Sequence, residues 1–304
     1  MNFLSHSSPL QALHSKLFPG IELWVKRDDL LHPQISGNKS RKLKYPLLAL
    51  AADPARTTVV SMGGAWSNHL HALAYAGQLL NFKTLGLVRG LRDDSHALTV
   101  TLNDCAKFGM QLRFLSRNDY RELRDNSRAW HGWTDIEPSK CLWLPEGGSS
   151  IPAVHGIAEL VTEIVDVLGS PPERIIVACG TGATLTGIIA GMQNQGNIIG
   201  IAAVQNADYL HTEVRQLLAL AGYPAYENFD ILHHFTHGGF AKTSPTLLNF
   251  CAEFSAETQI PVEPVYTGKM FFALHQLCLA GEFKQGEKIV AIHTGGLQGN
   301  RGFS

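Results

Sequence analysis

The sequence predicts an α/β protein made of two parallel sheets with helices on both faces. Apolar strand-like runs and helical runs alternate through most of the chain. The strand runs are continuously apolar, as in Arg174–Cys179, which suits strands covered on both sides. The chain has 304 residues, 45% hydrophobic and 17% charged, enough for one large core or two ordinary ones.

The elements follow in order. Ile21–Lys26 reads as a strand, and Arg27, Asp28 and Asp29 as a charged turn. Gly37 and Asn38 then read as a tight turn into a helix, with Asn38 as its N-cap. Pro46 should kink or end that helix near Tyr45. Strands are expected at 57–61, 84–88, 111–115, 141–144, 174–179, 198–204 and 289–293. Helices are expected at 67–80, up to Phe108, and at 119–127, 152–168, 185–192, 210–221, 245–257 and 270–280. The first of these places Leu70, Leu73, Ala74, Gly77 and Leu80 on one face. There is no internal repeat and no low-complexity linker.

Lysine plus arginine number 25 and aspartate plus glutamate 26, a net charge of -1. That balance argues against nucleic acid or an acidic membrane as partner. No apolar run approaches the roughly 18 residues of a membrane span. Residues 1–9 lack the basic start and apolar core of a secretory signal. The five cysteines, Cys105, Cys141, Cys179, Cys251 and Cys278, are scattered and odd in number. Free buried thiols in a reducing cytoplasm are the simplest expectation.

Several stretches carry chemistry. Lys39 would stand in the first helical turn, where the positive end of the dipole lowers an ammonium pKa and suits the amine to Schiff-base chemistry with an aldehyde. Lys42 shares its face. Alone, the stretch reads first as a basic, solvated first turn. Gly180, Thr181, Gly182, Ala183 and Thr184 close an apolar strand and open a helix, a placement that cradles a phosphate on backbone N–H groups. The spacing fits neither the Walker nor the dinucleotide pattern, and a simple close-packing turn is the alternative. Ser67 and Asn68 follow Gly63 and Gly64 at a strand end, where ligands bind in such folds; Ser67 could also simply cap the helix. His233, His234 and His237 lie together, but no carboxylate or cysteine stands near them at a metal-site spacing. No metal is expected.

Six motifs occur in a fixed order: Asn-Lys-x-Arg-Lys, Gly-Gly-x-x-Ser-Asn, Pro-x-Gly-Gly-Ser, Gly-Thr-Gly-Ala-Thr, Val-Tyr-Thr-Gly-Lys and His-Thr-Gly-Gly. In these the sequence resembles the 1-aminocyclopropane-1-carboxylate deaminase/D-cysteine desulfhydrase family of pyridoxal-phosphate enzymes, with the tryptophan synthase β-like fold. The resemblance spans residues 23–302. It implies that Lys39 holds the pyridoxal 5'-phosphate covalently, with Asn68 on its phenolic oxygen. It assigns the phosphate to residues 180–184 with help from Lys42, and the pyridine nitrogen to Thr294 or, alternatively, Thr267. It places Ser67, His69, Phe240 and Tyr266 at the substrate, with Lys39, Ser67 and Tyr266 catalytic. It also implies a homodimer, and a small domain, 46–150, inserted in a large cofactor domain of 1–45 with 151–304. The activity implied is a lyase or deaminase reaction on a small amino acid, such as β-elimination from D-cysteine. Two positions depart from the pattern. Phe240 stands where many relatives have a second active-site tyrosine, and His69 replaces the glutamine of typical deaminases. Both count against cyclopropane ring opening, since Phe240 lacks the hydroxyl.

Overall fold

The computed structural model describes residues 6–92, 97–126 and 128–303. Residues 1–5 of the expected non-secretory start, 93–96 ahead of Phe108, and Ser127 at the end of an expected helix lie outside the described residues. The strands are β1 (Leu10–Leu13), β2 (Ile21–Lys26), β3 (Thr58–Gly63), β4 (Lys83–Arg89), β5 (Gln111–Leu115), β6 (Cys141–Leu144), β7 (Arg174–Cys179), β8 (Asn197–Ala202), β9 (Phe229–Leu232) and β10 (Glu287–Ile292). The helices are α1 (Asn38–Ala52), α2 (Asn68–Leu80), α3 (Val100–Lys107), α4 (Arg117–Asp125), α5 (Ile151–Leu168), α6 (Ala183–Met192), α7 (Tyr209–Leu220), α8 (Pro245–Thr258) and α9 (Thr267–Leu279).

The strands form a sheet of order β1-β2-β10-β7-β8-β9 and a second of order β5-β4-β3-β6. All pairings are parallel except β1 with β2. Parallel strands need cover on both faces, and the burial alternates accordingly. In β7, Ile176 and Ala178 join one core, while Ile175, Val177 and Cys179 join the core on the opposite face. Two further cores flank the smaller sheet.

The structure corrects three local expectations. Asn38 is not the N-cap but the first residue of α1; Gly37 caps it at φ 65°. A Cβ at Gly37 would lie 1.8 Å from the Thr294 carbonyl oxygen, so only glycine fits there. Pro46 does not end α1, which runs on to Ala52. Leu43, Leu47 and Leu50 are buried in the core of the smaller sheet, and that packing outweighs the missing N–H. Finally, the sheets are not purely parallel, and β1 and β9 add short edge strands.

α1 is clamped from below. Arg41 donates to Asp28 at 2.7 Å and to Glu163 of α5 at 2.7 Å. A Cβ at Gly156 would meet the Arg41 carbonyl at 2.2 Å, so α1 and α5 touch backbone to backbone. Buried ion pairs contribute little net stability, but they fix register. Here they fix where the first turn of α1 points.

Candidate active site

The strands β2, β10 and β7 lie side by side, and their C-terminal ends lead into 27–39, 293–296 and 180–184. Ligands bind at this edge of parallel sheets.

Asn38 joins all three segments. Its amide nitrogen donates to Thr184 Oγ1 at 2.8 Å, and its backbone N–H donates to the Thr294 carbonyl at 3.2 Å. Its Oδ1 accepts from Lys39 Nζ at 2.9 Å. Lys39 is half-buried with no acid paired to it among the described residues, and burial lowers its pKa to about 8. The direction is the one expected, with burial as its cause. Lys42 is 3% exposed and donates to the Gly147 carbonyl at 3.3 Å. Burial, then the charge of Lys39, holds its pKa well below the ordinary value. With Arg41 and Lys42 both buried, the basic first turn is not a solvated one.

α2, α3, α4, α5 and α8 are each capped by a serine or threonine hydroxyl. α6 is not: its N-cap is Gly182 at φ 78°, with no side-chain bond. Its first N–H groups are open to an anion beside Thr184 and Lys39. Thr181 is exposed and packs beside Gly147. A Cβ at Gly180 would meet the Tyr266 ring at 3.1 Å, so Tyr266 stands over this loop.

Ser67 does cap α2, accepting from Leu70 N–H at 3.2 Å. Asn68 packs on Gly296, and its Oδ1 is buried without a hydrogen-bond partner among the described residues. His69 is buried, with Nε2 2.9 Å from Ser61 Oγ. Ser61 spends its own hydrogen on the Leu144 carbonyl at 2.8 Å, so His69 is the donor and its Nδ1 is left bare. Burial, then Lys39 and Lys42, keep this ring neutral.

Thr267 is fully buried, and its hydroxyl donates to Glu263 Oε1 at 3.1 Å. Thr294 is 8% exposed and its hydroxyl has no partner among the described residues. Of the two threonines, Thr294 therefore has the free hydroxyl. Glu263 was missed in the sequence. Its carboxylate accepts the N–H groups of Val265, Tyr266 and Thr267 at 2.7, 2.9 and 2.7 Å, and burial pushes its pKa up to about 7. An acid just ahead of a helix start was the available signal. Phe240 is 45% exposed, its ring edge-on to Tyr266 with centroids 6.0 Å apart. His237 bonds the Ser244 hydroxyl at 2.8 Å, and no metal-holding group forms among the described residues.

Residues 6–295 match the family described as pyridoxal-phosphate dependent enzyme. The chain belongs to that family. It is 31% identical to the bifunctional D-cysteine desulfhydrase/1-aminocyclopropane-1-carboxylate deaminase, mitochondrial, of Arabidopsis thaliana, over 92% of this chain and 73% of that one. It is 29% identical to the putative 1-aminocyclopropane-1-carboxylate deaminase of Pyrococcus furiosus, over 96% and 90%. A crystal structure of an ACC deaminase homologue superposes with a TM-score of 0.84 and 27% identity, covering 98% of this chain and 92% of that one. The fold expected from the motifs is the fold observed. The residues present also fit the family's cofactor: an amine freed by burial, an uncapped helix start for a phosphate, and the unpartnered Asn68 oxygen beside them. No helix among the described residues is long and apolar enough to cross a membrane.

Proposed function

We propose that this pyridoxal-phosphate-dependent enzyme is a lyase or deaminase of D-cysteine desulfhydrase type. It would convert a small β-substituted amino acid to a keto acid and ammonia, with sulfide released from D-cysteine. The observation that carries the reading is the edge-on pair of Tyr266 and Phe240, read here as the substrate wall: Tyr266 offers one hydroxyl, and its ring neighbour Phe240 offers none. Opening a cyclopropane ring breaks a carbon–carbon bond without an ordinary leaving group, so it leans on placed proton donors, each worth roughly 10²–10⁴-fold. A thiolate leaves with less help. The relatives named as deaminases support ring opening as the second reading.

In this proposal Lys39 holds the cofactor, and Gly180, Thr181, Gly182, Ala183 and Thr184 take its phosphate, with Lys42 behind them. The bound cofactor supplies an electron sink for the substrate's α-carbon. Thr294 would offer the ring nitrogen a neutral hydroxyl, which does not hold a proton there as a carboxylate would. Asn68 orients the cofactor through its amide. The Lys39 amine would move a proton at the substrate, while Ser67, His69 and Tyr266 would bind and orient it. Residues 46–150 act as a small domain inserted in the larger one; the strands of the smaller sheet all fall within that range, although α1 crosses residue 46. A cytoplasmic homodimer completes the reading, supported by the free buried cysteines and the family resemblance.

The test is ammonia and keto-acid release from D- and L-amino acids and from 1-aminocyclopropane-1-carboxylate, on protein carrying the cofactor. Turnover of D-cysteine or a β-substituted analogue above the cyclopropane supports the proposal. Efficient ring opening with no elimination contradicts it. Bound cofactor without turnover of any of them indicates a binder that has lost catalysis.

A further inference from the structure

Lys269 lies in the same motif as Tyr266, and none of the roles above uses it. It is 0% exposed, in the first turn of α9. Burying an ammonium is expensive unless it is matched by acceptors. Its Nζ donates to the Gly239 carbonyl at 2.7 Å and to the Ala203 carbonyl at 3.2 Å. No carboxylate pairs with it among the described residues; Glu263 is the acid whose charge reaches it.

The loop that it grips is strained. His237, Gly238, Gly239 and Ala241 have φ of 47°, 93°, 106° and 54°. Two of these are not glycine, and left-handed backbone at such residues is strained. Besides Lys269, His237 anchors the start of the loop: its Nδ1 lies 2.8 Å from the Ser244 hydroxyl and its ring stands edge-on to Phe272 of α9, centroids 4.7 Å apart, but both contacts fall two residues before Gly239. Gly239 N–H donates to the Thr236 carbonyl at 3.0 Å, and Lys242 N–H to Gly239 at 3.1 Å, both within the loop. The residue after Gly239 is Phe240, whose ring meets Tyr266. Lys269 therefore joins three things: the end of β8 through Ala203, the start of α9 that carries Tyr266, and the loop that carries Phe240.

We infer that Lys269 is a positioning residue for substrate selection: its buried ammonium latches the strained 236–242 loop so that Phe240 walls the substrate side of the site. It touches neither substrate nor cofactor and acts through Phe240. This inference rests on the proposed function for the meaning of that wall, but not for the latch itself.

The latch is tested without turnover, by hydrogen exchange and mass spectrometry on the cofactor-loaded protein. In Lys269→Met, peptides covering 236–244 should exchange about tenfold faster or more, while peptides covering α7 stay unchanged. Unchanged exchange at 236–244 overturns the latch, as does equal acceleration everywhere. If Lys269→Met does not fold, Lys269→Arg keeps the charge but misplaces the donors and should move the same peptides. The role in selection is tested by titrating D-cysteine and D-serine into Lys269→Met, Phe240→Ala and the double variant. Lys269→Met should raise KM about tenfold with kcat within about threefold, and should add almost nothing once Phe240 is gone. Additive effects overturn it. If the wild type turns over no β-substituted amino acid of either hand, the proposed function fails, and the exchange result stands by itself.

Discussion

The first turns of α1 and α9 both carry a desolvated lysine, and the two are built for opposite ends. Burial lowers Lys39 and Lys269 alike to about 8. Lys39 has one neutral neighbour, the Asn38 oxygen at 2.9 Å, and remains partly exposed. Lys269 is fully enclosed and grips two main-chain carbonyls. The helix starts differ in the same sense. α1 has no acid in its first turn, whereas Glu263 collects the N–H groups at the head of α9. A reactive amine needs desolvation with nothing that commits its nitrogen. A structural cation needs its donors used. A lowered pKa alone does not separate these; the count and kind of acceptors does.

The contrast can be broken most strongly at the loop that serves Lys39. Gly182→Val puts a branched side chain at φ 78°, with its Cβ 3.3 Å from Val214. Cofactor affinity should fall about 10²-fold in an absorbance titration, with far-ultraviolet circular dichroism near wild type. Unchanged affinity would place the phosphate elsewhere.

The same substitution at the two lysines should then differ in denaturant titrations of the cofactor-free protein. A lysine whose folded pKa lies below its ordinary 10.5 destabilises the fold while it is protonated, which is fully so below about 8. That penalty disappears as pH rises from about 8 to 10.5. Lys39→Met should therefore stabilise at pH 7 by about 1–3 kcal/mol, with the gain gone near pH 10.5. Lys269→Met sheds the same penalty but leaves the Gly239 and Ala203 carbonyls without their donor, so it should leave the protein about 1–3 kcal/mol less stable than Lys39→Met does. Equal stabilities of the two variants would erase the distinction.

The smallest effect is on selectivity. Phe240→Tyr restores a hydroxyl beside Tyr266 and should raise kcat/KM for 1-aminocyclopropane-1-carboxylate about tenfold against D-cysteine. No change in the ratio would show that the missing hydroxyl does not govern the choice.

What was legible in the sequence is what backbone alone builds. The continuous apolar strands and the glycine loop at 180–184 need no distant partner to be recognised. Pro46 misled because the rule is local, while the burial of Leu43, Leu47 and Leu50 is not. β1 and β9 are four-residue edge strands, too short and too polar on their outer positions to stand out. Asn38 looked like a cap because asparagine usually caps, but the carbonyl of Thr294 claims the space at Gly37 and moves the helix start by one residue. Lys269 could be read as part of a motif, yet its meaning lies with carbonyls 66 and 30 residues away.

The central claim is that Lys39, and no other buried lysine, is the reactive amine. Borohydride reduction of the cofactor-loaded protein, followed by peptide mapping, tests it directly. The account predicts the cofactor mass on the peptide containing Lys39, with Lys42 and Lys269 unlabelled. A label on Lys42 or Lys269 would contradict it.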